Sequence, residues 1–322
     1  VQIAADQSLD RFKAALSRLS VELLTDIERP TIGLAVSGGP DSLALFLLAH
    51  TVCPNAIRVA TVDHRLRPEA AEEAAYVAQI CADRGIPHDT LIPQEPISGN
   101  IQTAAREARY ELLQQWADTH RLKWIATAHH SDDQLETMLM RIARGSGLPG
   151  LNAIREINGR VIRPLLSFTK AELVAVCDAH KVIPCEDPSN ADIDFDRVQI
   201  RNWLKSAPDL LDARRASRTA AALREAHEAL EWIAEGLQQE RLEALDNNIL
   251  LLDPERLPPE LQRRLLIRSL QKIEPAISPR GDTINRALEA LRNGQKLTVG
   301  NILCTGGARW RFEPAPARSS DR

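Results

Sequence analysis

The chain has 322 residues, 44% hydrophobic and 26% charged, with a formal net charge of −4, enough for two domains that each bury a core. No run of about 18 apolar residues occurs, which excludes a membrane-spanning helix, and no basic segment followed by an apolar stretch marks a secretory leader. Five cysteines, at 53, 81, 177, 185 and 304, odd in number and without a C-x-x-C pair, argue against a disulfide framework or a zinc or iron–sulfur centre; reduced thiols in a cytoplasmic protein are expected.

Thr31 to Val36 reads as a short buried strand, followed by Ser37-Gly-Gly-Pro-Asp-Ser42 and an apolar helix over Asp41 to Val52. Small or absent side chains at Ser37, Gly38 and Gly39 let backbone N–H groups approach an anion, and the helix presents its positive end there. The guest that fits is a nucleotide polyphosphate. The loop lacks the lysine and the spacing of G-x-x-x-x-G-K-[ST], so it is not the P-loop of ordinary ATPases and GTPases. A plain Gly-Pro turn would call for neither two serines nor an aspartate.

Further strands are expected at Ile57 to Val62, Thr90 to Ile92 and Trp124 to Ala128, alternating with helices over Pro68 to Arg84, Ile101 to His120 and Asp132 to Arg144. This alternation predicts an α/β fold with a doubly wound, mainly parallel sheet. Ala105, Ala108, Leu112 and Trp116 make a stripe at helical spacing that reads as core. Ligands in such sheets bind at the carboxyl ends of the strands. Ser37 to Ser42, Asp63 to Arg67 and Ala128 to Gln134 all follow strand ends, so they should meet in one crevice.

Ala126-Thr-Ala-His-His-Ser-Asp-Asp-Gln-Leu-Glu-Thr137 opens the fourth helix, with Ser131 and Gln134 spaced as a capping box. Asp133 and Glu136 share a helix face; beside a nucleotide they could hold Mg²⁺ or a substrate ammonium, or simply compensate the helix dipole. Asp63-His-Arg-Leu-Arg67 stands where a base or ribose would sit, or is a charged loop. Arg106 and Arg109, in Gly99-Asn-Ile-Gln-Thr-Ala-Ala-Arg-Glu-Ala-Arg-Tyr110, could reach phosphate or carboxylate, or pair with Glu107 and Glu111. Gly145-Ser-Gly-Leu-Pro-Gly150 matches G-x-G-x-x-G but follows a helix, so Gly145 reads as a helix end and no nicotinamide site is implied.

Composition shifts near residue 205, with Pro208 as a marker. Residues 1–205 should form the nucleotide-binding domain and 206–322 a mostly helical one. Asp209 to Leu252 reads as long helices, with further helices at Pro254 to Gln271 and Thr283 to Leu291. Lys296 to Phe312, centred on Gly306-Gly307, reads as a short terminal β-hairpin. Between Arg197 and Arg224 there are seven basic residues against two acids in a chain whose net charge is −4; this is either a solvated helix face or a guide for a polyanion.

The Ser-Gly-Gly-x-Asp-Ser loop resembles that of the N-type ATP pyrophosphatases, the PP-loop superfamily. Together with Asp63 to Arg67, Asn100 to Tyr110, Ala128 to Thr137, Arg144 to Leu151, Arg163-Pro-Leu-Leu166 and Glu186-Asp-Pro-Ser-Asn190, it resembles the tRNA(Ile)-lysidine synthases over about 170 residues. Arg197-Val-Gln-Ile-Arg201 departs from their pattern: an Arg-Asn pair is expected to open the segment, and Val198 follows Arg197.

The resemblance implies an enzyme, a carbon–nitrogen-bond-forming ligase with ATP as co-substrate and Mg²⁺. It would adenylate the wobble cytidine of a CAU-anticodon tRNA(Ile) and couple L-lysine to it. Ser37, Gly38, Gly39, Pro40, Asp41 and Ser42 would bind ATP, with Asp41 placing the metal. Asp133 and Glu136, with Arg106 and His130, would bind lysine or substrate; Asp41, Asp133 and Glu136 would carry the chemistry. Arg197, Arg201, Lys205, Arg214, Arg215 and Arg218 would bind tRNA, and the second domain would help select it. A homodimer is compatible with the sequence. Some members carry a further β-rich C-terminal domain, which the sequence given does not reach, whether as a short form or as part of a longer chain.

Other readings are a different PP-loop tRNA-modifying or amidating enzyme, or an RNA-binding module with a relic ATP loop. The absent C-x-x-C speaks against thiolation, no cysteine has the surroundings of a glutaminase nucleophile, and retention of Asp41, Asp133 and Glu136 speaks against a relic.

Overall fold

The computed structural model describes residues 2–19, 30–67, 69–95, 101–185, 195–206 and 211–316. Gly99-Asn100, Glu186 to Asn190 and the boundary marker Pro208 lie outside them. The chain divides into two compact units, one of Val1–Arg144 with Asn152–Ala221, the other of Gly145–Leu151 with Ala222–Arg322.

In chain order the first unit comprises α1 (Gln2–Leu19), β1 (Ile32–Ala35), α2 (Pro40–Val52), β2 (Ile57–Val62), α3 (Glu69–Ala82), β3 (His88–Leu91), α4 (Ile101–Thr119), β4 (Trp124–Ala126) and α5 (Ser131–Ala143). After the short α6 (Leu148–Leu151), which belongs to the second unit, it resumes with β5 (Ile157–Asn158), β6 (Val161–Ile162), α7 (Lys170–Ala179) and α8 (Phe195–Ser206). The strands form one sheet in the order β3-β2-β1-β4-β6-β5. All neighbours are parallel except β5 and β6, as the alternation predicts. The sheet is wider than the sequence reading by β5 and β6, two-residue strands too short to show a period.

Both faces of the sheet are covered. Ile32, Leu34 and Val36 pack with Leu43 to Ala49 of α2 and with Phe168, Leu173 and Cys177. Ser42 to Ala49 are all buried, which is why α2 is apolar all round. On the other face Ala35, Ala60, Ile125 and Val161 pack against Leu113, Trp116 and Ala117 of α4. The buried stripe of α4 is therefore centred on Leu113, Trp116 and Ala117, with Ala105, Ala108 and Leu112 only half-buried.

Gly33 exists to admit Trp116: a Cβ there would lie 2.3 Å from Trp116 Cζ3 and 2.9 Å from Leu122 Cδ1. The indole N–H is fixed by donation to Asp89 Oδ2 at 2.8 Å, so the ring cannot retreat. We predict that Gly33→Ala costs about 3 kcal/mol or more, read as a drop in Tm; a loss under about 0.5 kcal/mol would show that the ring moves freely.

The α9 helix (Ala213–Arg241) carries the chain into the second unit, followed by β7 (Leu242–Leu245), β8 (Ile249–Leu252), α10 (Pro259–Ile273), α11 (Gly281–Arg292), β9 (Lys296–Val299), β10 (Ile302–Thr305) and β11 (Trp310–Pro314). The expected terminal hairpin is part of a five-stranded antiparallel sheet, β7-β8-β11-β10-β9. The unit thus carries a five-stranded sheet beside the expected helices. Leu250, Leu252, Val299, Ile302, Cys304, Trp310 and Phe312 form its buried face, closed by Leu265, Leu266 and Leu270 of α10 and Ile284, Leu288 and Leu291 of α11. The expected helical run to Leu252 stops at Arg241. Leu242-Glu-Ala-Leu245, all good helix formers, is a strand because it pairs with Ile249–Leu252 around a turn in which Asn248 has φ +59°.

Candidate active site

The strand order places the topological switch between β1 and β4, whose outward connections run to opposite sides. The loop after β1 and the start of α5 after β4 are therefore neighbours, which brings the two polar motifs of the sequence together.

The loop after β1 is braced from within. Ser37 N–H donates to Ser42 Oγ at 3.1 Å, the two hydroxyls lie 3.3 Å apart, and Ser42 Oγ donates to the Gly39 carbonyl at 3.0 Å. Gly39 caps α2 and Pro40 occupies its first turn, where a missing N–H costs nothing. Gly38 has φ +89°, and a Cβ on it would lie 3.2 Å from Cys185 Sγ; the Cys185 N–H donates to its carbonyl at 2.9 Å. Gly39 is the cap and Asp41 and Ser42 lie in the first turn of α2, where N–H groups have no carbonyl one turn back to bond. That leaves a nest of donors at a helix N-terminus, the geometry that holds phosphates.

Across the switch, the α5 cap is His130 and not Ser131. The His130 N–H donates to Asp133 Oδ2 at 3.0 Å. Gln134, expected in the cap, instead clamps Ile154 through both its amide atoms, at 2.7 and 2.8 Å. The His130 ring is 5% exposed. Its Nε2 lies 3.5 Å from both Asp41 Oδ2 and Asp133 Oδ2, and Nδ1 lies 3.4 Å from Asp132 Oδ2. Burial opposes its charge, but Asp132, Asp41 and Asp133 outweigh burial and raise its pKa to about 10. One imidazolium thus ties the loop aspartate to the two aspartates of α5. Asp132 further accepts the Lys170 N–H of α7 at 2.9 Å.

His129 is the opposite case. Burial and the guanidinium groups of Arg163, Arg109, Arg106 and Arg197 lower its pKa to about 3, so it is neutral at ordinary pH. Between pH 6.5 and 3 the unfolded chain binds a proton that the folded chain refuses, so this site withdraws stability as pH falls through that window. We predict that His129→Gln makes the fall in Tm between pH 6.5 and 4 shallower than in the parent protein; identical slopes would refute this assignment.

Glu136, 6% exposed, accepts from Arg201 Nε at 2.6 Å and lies 3.3 Å from Arg197 Nε. Two arginines expected on tRNA are therefore on the carboxylate expected to bind an ammonium. Arg214 is also engaged, 2.7 Å from Glu172. Lys205, Arg215 and Arg218 are exposed and have no ion pair among the described residues. Arg106 lies over the Tyr110 ring at 5.3 Å and not on Glu107 or Glu111. Asp63, at the end of β2, is buried and holds the Arg65 N–H at 2.8 Å. Gly145, φ +65°, follows the last residue of α5's cap, as the helix-end reading expects. The sequence assigned no role to Arg163; its place depends on β6, a strand no periodicity could show.

Among the described residues no three His, Cys, Asp or Glu side chains form a metal-holding group, and no helix is long and apolar enough to cross a membrane.

A doubly wound sheet with a donor nest and carboxylates at its switch point defines a PP-loop nucleotide-binding protein, and the PP-loop domain family matches residues 12–207. The fold alone is shared with the U34-tRNA thiolase NcsA from Methanococcus maripaludis, at 15% identity and TM-score 0.56 over 70% of this chain and 80% of that one. Curated tRNA(Ile)-lysidine synthases are far more similar. That of Zymomonas mobilis is 40% identical over 89% of each chain, that of Novosphingobium aromaticivorans 42% over 90% of each, and that of Ruegeria pomeroyi 42% over 87% of this chain and 70% of that one. The chain belongs to the tRNA(Ile)-lysidine synthase family.

Proposed function

We infer that the chain is an ATP-dependent ligase that adenylates the wobble cytidine of a CAU-anticodon tRNA(Ile) and couples L-lysine to it. The C2 oxygen of the cytidine attacks the α-phosphorus of ATP, the bond to the bridging oxygen breaks, and pyrophosphate leaves. The ε-amine of lysine then attacks C2, AMP departs with the oxygen, and the new nitrogen loses a proton.

The observation that carries this reading is the bridge of His130 between Asp41 and Asp133. It sets a nucleotide cradle beside an anionic patch, a combination that suits transfer from ATP to a site that also receives an amine. The amides of Gly38, Gly39, Asp41 and Ser42 would hold the departing phosphates. Asp41 Oδ1 is buried with no hydrogen-bond partner, a free oxygen that fits Mg²⁺, which takes one or two carboxylates together with nucleotide phosphates; bound there, the ion would neutralise charge on the leaving pyrophosphate. Asp133 and Glu136 would receive the lysine ammonium, Arg201 and Arg197 giving way or sharing Glu136. Neither histidine suits the task of taking the amine's proton: His129, with a pKa near 3, is too weak a base, and His130, with a pKa near 10, is already protonated at neutral pH. Residues 1–205 would carry the chemistry and 206–322 would help select the tRNA, in the cytoplasm.

The test is pyrophosphate exchange into ATP, expected only with CAU tRNA present, followed by mass spectrometry of nucleosides from tRNA incubated with ATP and lysine. Exchange driven by a small acceptor without tRNA, or no lysidine, would overturn the reading. We further predict that reversing Lys205, Arg215 and Arg218 together to Glu weakens tRNA binding at least tenfold and lowers the salt slope by about 2–3, at roughly 0.9 per phosphate contact. A slope unchanged from the parent would remove these residues from the tRNA path.

A further inference from the structure

The helix α7 touches both of the segments whose aspartates meet at His130. At its first residue, the Lys170 N–H donates to Asp132 Oδ2 at 2.9 Å. Just before its cap, the Phe168 carbonyl accepts the Ser131 N–H at 2.8 Å. Two turns further along, Cys177 Sγ donates to the Pro40 carbonyl at 3.4 Å, beside Asp41. One helix therefore ties the start of α5 to the start of α2. It is itself firmly seated. Thr169 and Glu172 form a capping box, the Thr169 N–H donating to Glu172 Oε2 at 2.8 Å. Arg11 and Arg214 hold Glu172 in turn, and Phe168, Leu173 and Cys177 are buried in the core.

The contact with Asp132 converges on a single oxygen. Oδ2 takes the Lys170 N–H at 2.9 Å and lies 3.4 Å from both His130 Nδ1 and Ser131 Oγ. His130 Nδ1 is buried and makes no aligned hydrogen bond. What Asp132 gives the ring is thus charge at a distance, which depends on where its oxygen is held. Of the three neighbours of Oδ2 the Lys170 N–H is the closest, and it comes from another helix. The Lys170 side chain is exposed, so the backbone is the part that acts. The ring also faces Asp133 of α5 and Asp41 of α2, and Arg201 of α8 feels both of those acids.

We propose that Lys170 is a positioning residue: its backbone N–H sets Asp132 against His130, and through that ring fixes where Asp41 and Asp133 stand for transfer from ATP. The step it serves rests on the function inferred above; the placement of His130 does not, and it can be read without any turnover.

The test separates backbone from side chain. Lys170 is the first residue of α7 and follows Thr169 at φ −85°, ψ 156°, a conformation that suits the residue before a proline, and proline is well tolerated at the first helical position. Lys170→Pro therefore removes the N–H and leaves the cap, whereas Lys170→Ala keeps the N–H. Both are read by the kinetics of pyrophosphate exchange with CAU tRNA and by an NMR titration of the His130 ring. Lys170→Ala should match the parent in both. Lys170→Pro should lower kcat of exchange about tenfold or more with KM for ATP within about twofold, because the amides after β1 still hold the triphosphate. It should also lower the pKa of the His130 ring by about half a pH unit or more, since a displaced carboxylate favours the imidazolium less. Asp132→Ala, which leaves α7 whole, is the second variant and should move both readouts in the same directions. The proposal is overturned if Lys170→Ala falls as far as Lys170→Pro, or if Lys170→Pro or Asp132→Ala exchanges within twofold of the parent. It is equally overturned if the ring's pKa stays or rises in Lys170→Pro, the result expected if the N–H merely competes with His130 for the charge of Asp132. A parent protein that shows no exchange would sink the inferred reaction, and the titration alone would then decide the positioning.

Discussion

Asp41→Asn should abolish pyrophosphate exchange, by about 10³-fold or more, in a protein that still folds. The substitution keeps the shape of the side chain and removes its charge. In the first turn of α2 that charge is worth only about 0.3–1 kcal/mol to stability through the helix dipole. Its other role is at the site, where Asp41 Oδ2 faces His130 at 3.5 Å and Oδ1 is buried without a partner. A neutral amide cannot hold Mg²⁺ against nucleotide phosphates with comparable strength, so adenylation should fail while tRNA binding persists. The checks are exchange kinetics and a thermal melt on the same preparation. Exchange within tenfold of the parent would take Asp41 out of the chemistry.

Glu136→Ala should separate the two half-reactions. Exchange should continue near the parental rate, because this step needs no lysine, while the lysine concentration for half-maximal lysidine formation rises about 100-fold or more. Two effects act in the same direction. The carboxylate that would attract an ammonium is gone, and Arg201 and Arg197, which it now holds at 2.6 and 3.3 Å, are left facing the site as uncompensated cations. The second effect also costs stability, up to about 3 kcal/mol, so Glu136→Gln is the companion variant: it keeps an acceptor for Arg201 and should show a smaller stability loss with much the same lysine requirement. An unchanged lysine requirement in both variants would show that the amine binds elsewhere.

How much of this was legible in the residues depends on the kind of signal each carries. The sheet could be read because β1, β2 and β4 are apolar runs between helical stretches, and parallel strands buried on both faces leave that trace. The convergence of Ser37 to Ser42 with Ala128 to Gln134 followed from the rule that ligands sit at strand ends. β5 and β6 left no trace, being two residues each, and with them Arg163 lost its address. Leu242-Glu-Ala-Leu245 misled because its propensity is helical and only its partner strand makes it extended. The capping box misled because Ser-x-x-Gln matches the pattern at Ser131, while His130 with Asp133 satisfies the same need one residue earlier. Arg197 and Arg201 read as surface charge because a sequence does not say that Glu136, some sixty positions back, is their neighbour.

The imidazolium of His130 has a bearing on how freely this enzyme can be retuned. Because a single buried cation satisfies acids on both the loop after β1 and the start of α5, neither side is an independent module. A redesign that replaces the acids at the start of α5 would release His130 from part of its charge balance and disturb the loop after β1 as well. Attempts to alter amine preference should therefore vary positions outside this triad of aspartates and leave the shared hub intact.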